Sequence, residues 1–222
     1  MSIPSPSDLL ITEQLLTRPP RILDLQAEID AFRELSEALA LEPGRGVQRF
    51  VEIAADLCKA GSAGFSELEI NGPEPLFRSM ALAGQLAPYI GGSVLRNASP
   101  CGLCLDRGAT ILLDRPMRFF EGPAAHTITE VLIVPVYDTG RVPLGTIWIV
   151  SHDERRFDAT DARILEGMAL QLFLAIKAGA GWSRRNSGRA RSRTESATAC
   201  IWSGACSRCM RNPCGHPKPP KA

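Results

Sequence analysis

The sequence predicts an α+β domain in which a central antiparallel sheet of five to six strands carries helices mainly on one face. Two apolar segments, residues 131–137 and 144–150, flank a short turn that contains Gly140, which indicates a hairpin. Because both segments are apolar almost throughout, they predict central strands that are covered on both faces. Segments with helical periodicity precede and follow the strands.

The N-terminal part predicts a loose arm followed by a long helix. Residues 1–21 contain four prolines and little periodicity. From Ile22, six positions recur at spacings of three and four and form a narrow seam along one side of the chain (Ile22, Leu25, Ile29, Phe32, Ser36 and Leu39). This spacing predicts an amphipathic helix that ends before Glu42. This helix either covers one face of the domain or pairs two subunits in a short coiled coil, so a homodimer through the terminal helices is one possible assembly.

A second helix and two strands are predicted next. The helix has one apolar face (Val47, Phe50, Val51, Ala54, Leu57 and Cys58). It ends near Lys59-Ala60-Gly61, where a cation and a glycine suit a helix C-terminus. Residues 65–70 alternate as a half-buried strand does, and residues 77–83 form its partner across the Asn71-Gly72-Pro73 turn.

The remaining elements surround the hairpin. Residues 84–98 are irregular, after which Ser99 and Pro100 predict the cap and first position of a short helix that continues to about Arg107. A strand over 109–113 and a loop through Pro123 come before the hairpin. Residues 157–161 cap a final helix with an apolar inner face (Ile164, Leu165, Met168, Leu172 and Ile176).

Charge divides the chain into two parts. Residues 178–222 hold nine of the 25 basic residues and one of the 24 acidic residues, so this segment carries about +8 and the rest about −7. Residues 1–177, the body of the chain, are therefore acidic and a poor ligand for phosphate backbones, which argues against nucleic-acid binding by the body. The N-terminus lacks the pattern of a signal peptide and no segment is apolar enough to span a membrane, so a cytoplasmic protein is expected.

The basic C-terminal segment, residues 178–222, has two interpretations. Four cysteines and a histidine could hold one zinc ion, although only Cys206 and Cys209 have a usual ligand spacing (Cys200, Cys206, Cys209, Cys214 and His216). The alternative is a disordered tail of the composition that out-of-frame translation of GC-rich DNA gives, and its abrupt start inside the last helix favours this alternative.

The body resembles a GAF domain, of the type found in bacterial sensor histidine kinases. The resemblance covers about residues 22–177 and rests on Ser99-Pro100-Cys101-Gly102 before a helix, on Val134-Pro135-Val136, and on the continuation GTIWIVSHDERRFDATD from Gly145. It implies a GAF/PAS-like fold that senses a cyclic nucleotide, tetrapyrrole, haem or small metabolite. No cysteine is followed directly by histidine, which argues against a covalent bilin, so the cofactor stays undetermined.

The resemblance also implies a pocket between the sheet and the loops of residues 84–128. We expect six residues to contact the ligand, namely one thiol, one cation, three aromatic rings and one imidazole (Cys101, Arg115, Phe119, Phe120, His126 and Trp148). The resulting hypothesis is a non-catalytic regulatory domain that binds a small molecule. The output module of a sensor kinase is not found after residue 177.

Cys101 and Cys104 are redox candidates and support an alternative function. A thiol at a helix N-terminus lies in the positive end of the helix dipole, which favours the reactive thiolate. Cys101 before Gly102 resembles one cysteine of the free methionine-(R)-sulfoxide reductases, enzymes with the GAF fold. Those enzymes need a further cysteine in the loop before the hairpin, and residues 121–127 contain none. We therefore expect no enzymatic activity and no metal site in the body.

Overall fold

The computed structural model describes residues 6–22, 24–41, 43–120, 127–154 and 156–178. A six-stranded antiparallel sheet forms its centre, with the strand order β3-β2-β1-β6-β5-β4. The strands are β1 (Ser62–Glu69), β2 (Leu76–Gly84), β3 (Ser93–Leu95), β4 (Ile111–Asp114), β5 (Glu130–Tyr137) and β6 (Pro143–Ser151). The α-helices are α1 (Gln14–Thr17), α2 (Leu25–Leu41), α3 (Pro43–Leu57), α4 (Pro100–Arg107) and α5 (Ala159–Ala178). The predicted hairpin, β5 and β6, is thus confirmed, and both of its strands have neighbours on either side in the sheet.

The two faces of the sheet bury different cores. One face packs under α2, α3 and α5, with Phe65, Leu132 and Ile149 pointing toward Phe50 and Leu165 in one apolar cluster. The opposite face is covered by α4 and by loops, and alternate residues of the same strands form a second cluster there. Because side chains alternate along a strand, a sheet covered on both faces explains why β5 and β6 are apolar almost throughout.

A bulge in β2 changes which residues face each core. Phe65 pairs with Ala81 and Ser66 pairs with Ser79, so Met80 is the extra residue. Ala81 faces the helices, whereas Ser79 faces the opposite side, where it lines a cavity. Strict alternation from Ala81 would place the Ser79 side chain under the helices instead.

The predicted seam of α2 points largely outward. Leu35 is fully buried against α3, and the buried Glu28 pairs with Arg163 of α5 at 3.0 Å. Leu25 and Ile29, by contrast, are exposed. The helix therefore carries two apolar stripes, of which the second, with Ala31 and Leu35, forms the inner surface.

The expectation of a loose N-terminal arm fails for residues 6–18. Leu9 is 1% exposed and belongs to the second core cluster. The Ile11 N–H donates to the Leu112 carbonyl at 2.9 Å, and the Leu112 N–H donates to Thr12 Oγ1 at 3.1 Å. The arm is ordered because the outer edge of β4 offers unpaired backbone groups that the arm satisfies.

Two arginines then fix the start of α2 to the body. Arg18 forms a two-pronged ion pair with the buried Glu130. Arg21 donates from Nε to Asp161 at 2.9 Å and from its guanidinium to the Leu57 carbonyl at 2.6 Å. The segment that leads into α2 is therefore held by carboxylates of β5 and α5.

The other differences from the predicted elements are small. β1 begins three residues earlier than predicted, and β3 occupies part of the segment that was expected to be irregular. Within the described ranges, the helices lack the combination of length and apolar character that crossing a membrane requires. The predicted tail, apart from Ala178, lies outside the described residues, as do its cysteines and His216.

Candidate functional site

A cavity of about 90 Å³ opens between the sheet and the N-terminus of α4. Its floor consists of side chains from β1, β2, β5 and β6, and its walls come from β3, α4 and the segment after β4. One end is polar, with Ser66, Ser79, Ser99 and Cys101. The side toward β5 and the segment after β4 is apolar (Met117, Ile128, Val131 and Ile133), and Leu86 and Val94 add apolar surface on the β2–β3 side, beside Ser79. This combination of an apolar wall and a few polar groups is typical of small-molecule sites.

Ser99 and Pro100 place Cys101 at the cavity. Ser99 has extended backbone angles, and its Oγ accepts a hydrogen bond from the Gly102 N–H at 3.1 Å, as an N-cap does. Pro100 follows at the first helical position, where no N–H is required. Gly102 packs directly on the carbonyl oxygen of Arg96, and a Cβ at this position would overlap that oxygen. Only glycine therefore allows α4 to lie this close to the preceding loop.

The Cys101 thiol is buried in the polar end of the cavity. Burial raises its pKa from the ordinary 9.0 to about 11, although the neighbouring hydroxyls of Thr146, Ser66 and Ser99 act in the opposite direction. The expected gain in reactivity from the helix dipole is therefore outweighed by the loss of solvation. Thr146 Oγ1 is buried and has no hydrogen-bond partner within the part of the chain that the structure describes.

Cys104 lies one turn further along α4 and is a core residue. Its Sγ is 3.4 Å from the Ala109 carbonyl and 3.7 Å from the Ile133 carbonyl, to which the thiol donates. Burial raises the pKa of Cys104 well above its ordinary value, and the charge of Cys101 adds to this effect. Its contacts are those of a thiol that helps α4 to pack on β5.

Trp148 forms the floor of the cavity beside Ser66. The indole Nε1–H donates to Ser66 Oγ at 2.9 Å, so its polar group is satisfied inside the core. Gly64 lies under the ring, where a Cβ would overlap the indole and Leu82. The absence of a side chain at Gly64 therefore makes room for the large ring.

The structure brings together two of the six predicted ligand-binding residues. Cys101 and Trp148 line the cavity, whereas Arg115 and Phe119 are exposed and are not part of its lining. Phe120 is buried in the second core cluster, with its ring centroid 5.0 Å from that of Phe119. His126 lies outside the described residues.

The sequence pattern does not indicate that Ser66 and Ser79 lie at a cavity. Ser66 lies in a strand whose alternating pattern predicts that its polar side chains face solvent, but α4 covers that side of the sheet. Ser79 faces the cavity because of the bulge at Met80. Ser99 was predicted correctly as a helix cap, and the proximity of its side chain to a cavity depends on the fold.

The family of the chain follows from comparison with known proteins. A family model described as a GAF domain matches residues 46–177. The chain belongs to the GAF domain family. This confirms the predicted fold and assigns to the chain a fold that binds small molecules in regulatory proteins. No curated protein matches the sequence.

Solved GAF structures share the fold at low sequence identity. The GAF domain of an Acinetobacter phosphoenolpyruvate-protein phosphotransferase is 19% identical, with a TM-score of 0.61 over 72% of this chain and 97% of that chain. The corresponding Coxiella burnetii domain is 15% identical, with a TM-score of 0.60 over 75% and 99%. The free methionine-R-sulfoxide reductase of Neisseria meningitidis, solved with its substrate, is 16% identical, with a TM-score of 0.58 over 74% and 96%. At these identities the likeness shows the fold alone.

Proposed function

We propose that this GAF domain is a non-catalytic sensor that binds a small molecule in the cavity under α4. In this proposal it regulates a bacterial signal-transduction protein in the cytoplasm, of the sensor histidine kinase type. The observation that carries the proposal is the cavity itself, which joins an apolar wall to a group of hydroxyls. The path for a signal is the N-terminal arm, because Leu9 packs in the cavity-side core and Arg18 and Arg21 fix the segment that enters α2.

Binding in the cavity can be tested by filling the cavity with a larger side chain. Val94 of β3 is half-buried and lines the cavity, so Val94→Trp is expected to occupy the space with little effect on the core. Native mass spectrometry of the full chain, purified from the producing cells, is expected to show a small-molecule adduct that Val94→Trp lacks. The proposal is wrong if the wild-type chain carries no adduct and no fraction of a cell extract raises its melting temperature.

The alternative function is thiol chemistry at Cys101, of the methionine-sulfoxide-reductase kind. The position of Cys101 in the cavity wall favours it, and the burial of the thiol opposes it. With a pKa of about 11, the thiolate fraction near pH 8 is about a hundredfold lower than that of a thiol at the ordinary value. Cys101 is therefore expected to react about a hundredfold more slowly with iodoacetamide than free glutathione does.

The pH profile separates a shifted pKa from simple shielding. Peptide mass spectrometry should show the Cys101 alkylation rate still rising about tenfold per unit above pH 9, where the rate of an ordinary thiol levels off. The same shift means that the thiol contributes stability that is present below pH 9 and is lost as the pH rises through about 11. Reduction of free methionine sulfoxide that Cys101→Ser abolishes would instead support the enzyme.

We also propose that two copies pair through the outward stripe of α2. Leu25 and Ile29 are exposed and lie one turn apart, next to the exposed Ile22, which is the pattern expected of a short helical seam. Ile29→Glu is expected to shift the full chain from dimer to monomer in sedimentation at micromolar concentration. Glu37→Ala, on an exposed position of the same helix, is the control. A monomeric wild-type chain would contradict the pairing.

A further inference from the structure

The residues that line the cavity are all uncharged in the part of the chain that the structure describes. Arg115, which precedes Pro116, is exposed and is not part of the lining, and two other neighbouring cations outside the lining have carboxylate partners. Arg96, which precedes α4, pairs with Asp106 at 2.5 Å, and Arg118, which follows Met117, pairs with Asp114 at 3.1 Å. An ionised ligand would lose its hydration on entering the cavity, and no opposite charge among these lining residues would compensate for that loss. The free energy of binding would therefore be unfavourable for an ion.

The N-terminus of α4 offers little to an anion. Pro100 has no N–H, the Gly102 N–H is taken by the Ser99 side chain, and the Leu103 N–H donates to the Ser99 carbonyl. Among the described residues, the Cys101 N–H is thus the one donor at the start of α4 that is not satisfied by another residue. A carboxylate or phosphate would find few free backbone donors at this end of the cavity.

The hydrogen bonds of the serines define what the polar end can donate. Ser66 Oγ accepts from the Trp148 indole, and Ser99 Oγ accepts from Gly102. A hydroxyl that accepts an N–H still has its own hydrogen to donate. Ser79 is 9% exposed and lines the cavity, and within the described ranges its hydroxyl has no hydrogen-bond partner. Ser79 therefore presents an O–H donor to a ligand, beside the hydroxyls of Ser66 and Ser99 that adjoin the Cys101 thiol.

We infer that the ligand is an uncharged, mainly apolar small molecule whose carbonyl, ether or hydroxyl oxygen lies at the serine end. Its hydrocarbon part packs on Met117, Ile128, Val131 and Ile133 at the other end. The cavity volume of about 90 Å³ suits a compact molecule of a few carbon atoms, or the corresponding part of a larger one that extends through the mouth. This inference rests on the proposed function, because it assigns a ligand class to the same cavity.

Three probes of similar shape test the inference: methyl isopropyl ketone, isobutyrate and isobutylammonium. Each is titrated into the full chain while the Trp148 indole N–H and the Met117 methyl resonances are followed by NMR. The ketone is expected to shift both resonances with a millimolar dissociation constant. The two ions are expected to bind at least about thirtyfold more weakly, because neither finds an opposite charge among the described lining residues.

A serine variant tests the hydrogen bond separately. Ser79→Ala is expected to weaken ketone binding about threefold to tenfold, the usual effect of one hydrogen bond. Ser93→Ala, at an exposed position of β3 outside the cavity lining, is the matched control and should leave the affinity unchanged.

These outcomes test the ligand class and the existence of the binding site separately. Tighter binding of either ion than of the ketone, or equal ketone binding by wild type and Ser79→Ala, would overturn the ligand class while the cavity remained a binding site. If none of the three probes shifts the Trp148 and Met117 resonances, the cavity does not admit small molecules. That result would overturn the proposed function together with the ligand class.

Discussion

Replacing Glu130 with alanine is expected to lower the free energy of unfolding by about 3–5 kcal/mol, the usual cost of breaking a buried ion pair. The Glu130 side chain is 1% exposed, and its two oxygens accept from Arg18 at 2.7 and 3.0 Å. Its Oε2 also accepts from the Phe157 N–H at 3.0 Å. The change would therefore leave a largely buried guanidinium and a buried N–H without their carboxylate.

Urea denaturation of the full chain measures this effect, with Glu74→Ala as the control. Glu74 is exposed in the turn between β1 and β2, and its loss should change the unfolding free energy by less than about 0.5 kcal/mol. Hydrogen exchange should also show faster exchange of the Ile11 amide in Glu130→Ala, because the arm loses its anchor at Arg18. Equal stability of the two variants would mean that Arg18 and Glu130 do not hold the arm in place.

Gly102→Ala is expected to destabilise the domain by about 1–3 kcal/mol, the usual range for overpacking a core. Alanine is ordinarily the better helix residue, but a Cβ here would overlap the backbone oxygen of Arg96. Backbone atoms cannot move away as a flexible side chain can, so α4 itself must shift. Because α4 carries Cys101 into the cavity wall, the variant should also bind the cavity probes more weakly.

Gly167→Ala is the matched test of opposite sign. Gly167 lies in the exposed part of α5, and a Cβ at this position would meet no atom within 4 Å. Alanine should therefore raise the unfolding free energy by about 0.5–1 kcal/mol through its helix propensity alone. Thermal unfolding of the two variants beside the wild type gives both signs in one experiment. Stabilisation by Gly102→Ala would show that α4 does not pack closely on the Arg96 carbonyl.

The predictions that succeeded depend on local patterns. The hairpin follows from two apolar segments around a turn, and the start of α4 follows from Ser99 and Pro100, whose capping role needs only neighbouring residues. The order of the N-terminal arm, by contrast, depends on contacts with a distant part of the chain. Leu9 and Thr12 are ordered by β4, about a hundred residues later in the chain, and no periodicity within residues 1–21 indicates that contact.

In the candidate site, too, local sequence patterns indicate some residues and not others. Cys101 and Trp148 could be named from the motifs around them, and both line the cavity. Ser66 and Ser79 could not, because the first depends on α4 covering its side of the sheet and the second on the bulge at Met80. A bulge of one residue reverses the face of every residue beyond it, so a strand pattern alone cannot assign side chains to a cavity.

The Trp148 indole N–H resonance of the full chain, recorded with and without methyl isopropyl ketone, tests the binding site under α4 most directly. The indole lies in the cavity floor and is fixed by Ser66 at 2.9 Å, so bound ligand should change its environment directly. The account predicts a shift of this resonance together with that of Met117, while the amide of Gly167 on α5 stays unchanged. Shifts confined to α2 or α5, with Trp148 and Met117 unaffected, would contradict a binding site under α4.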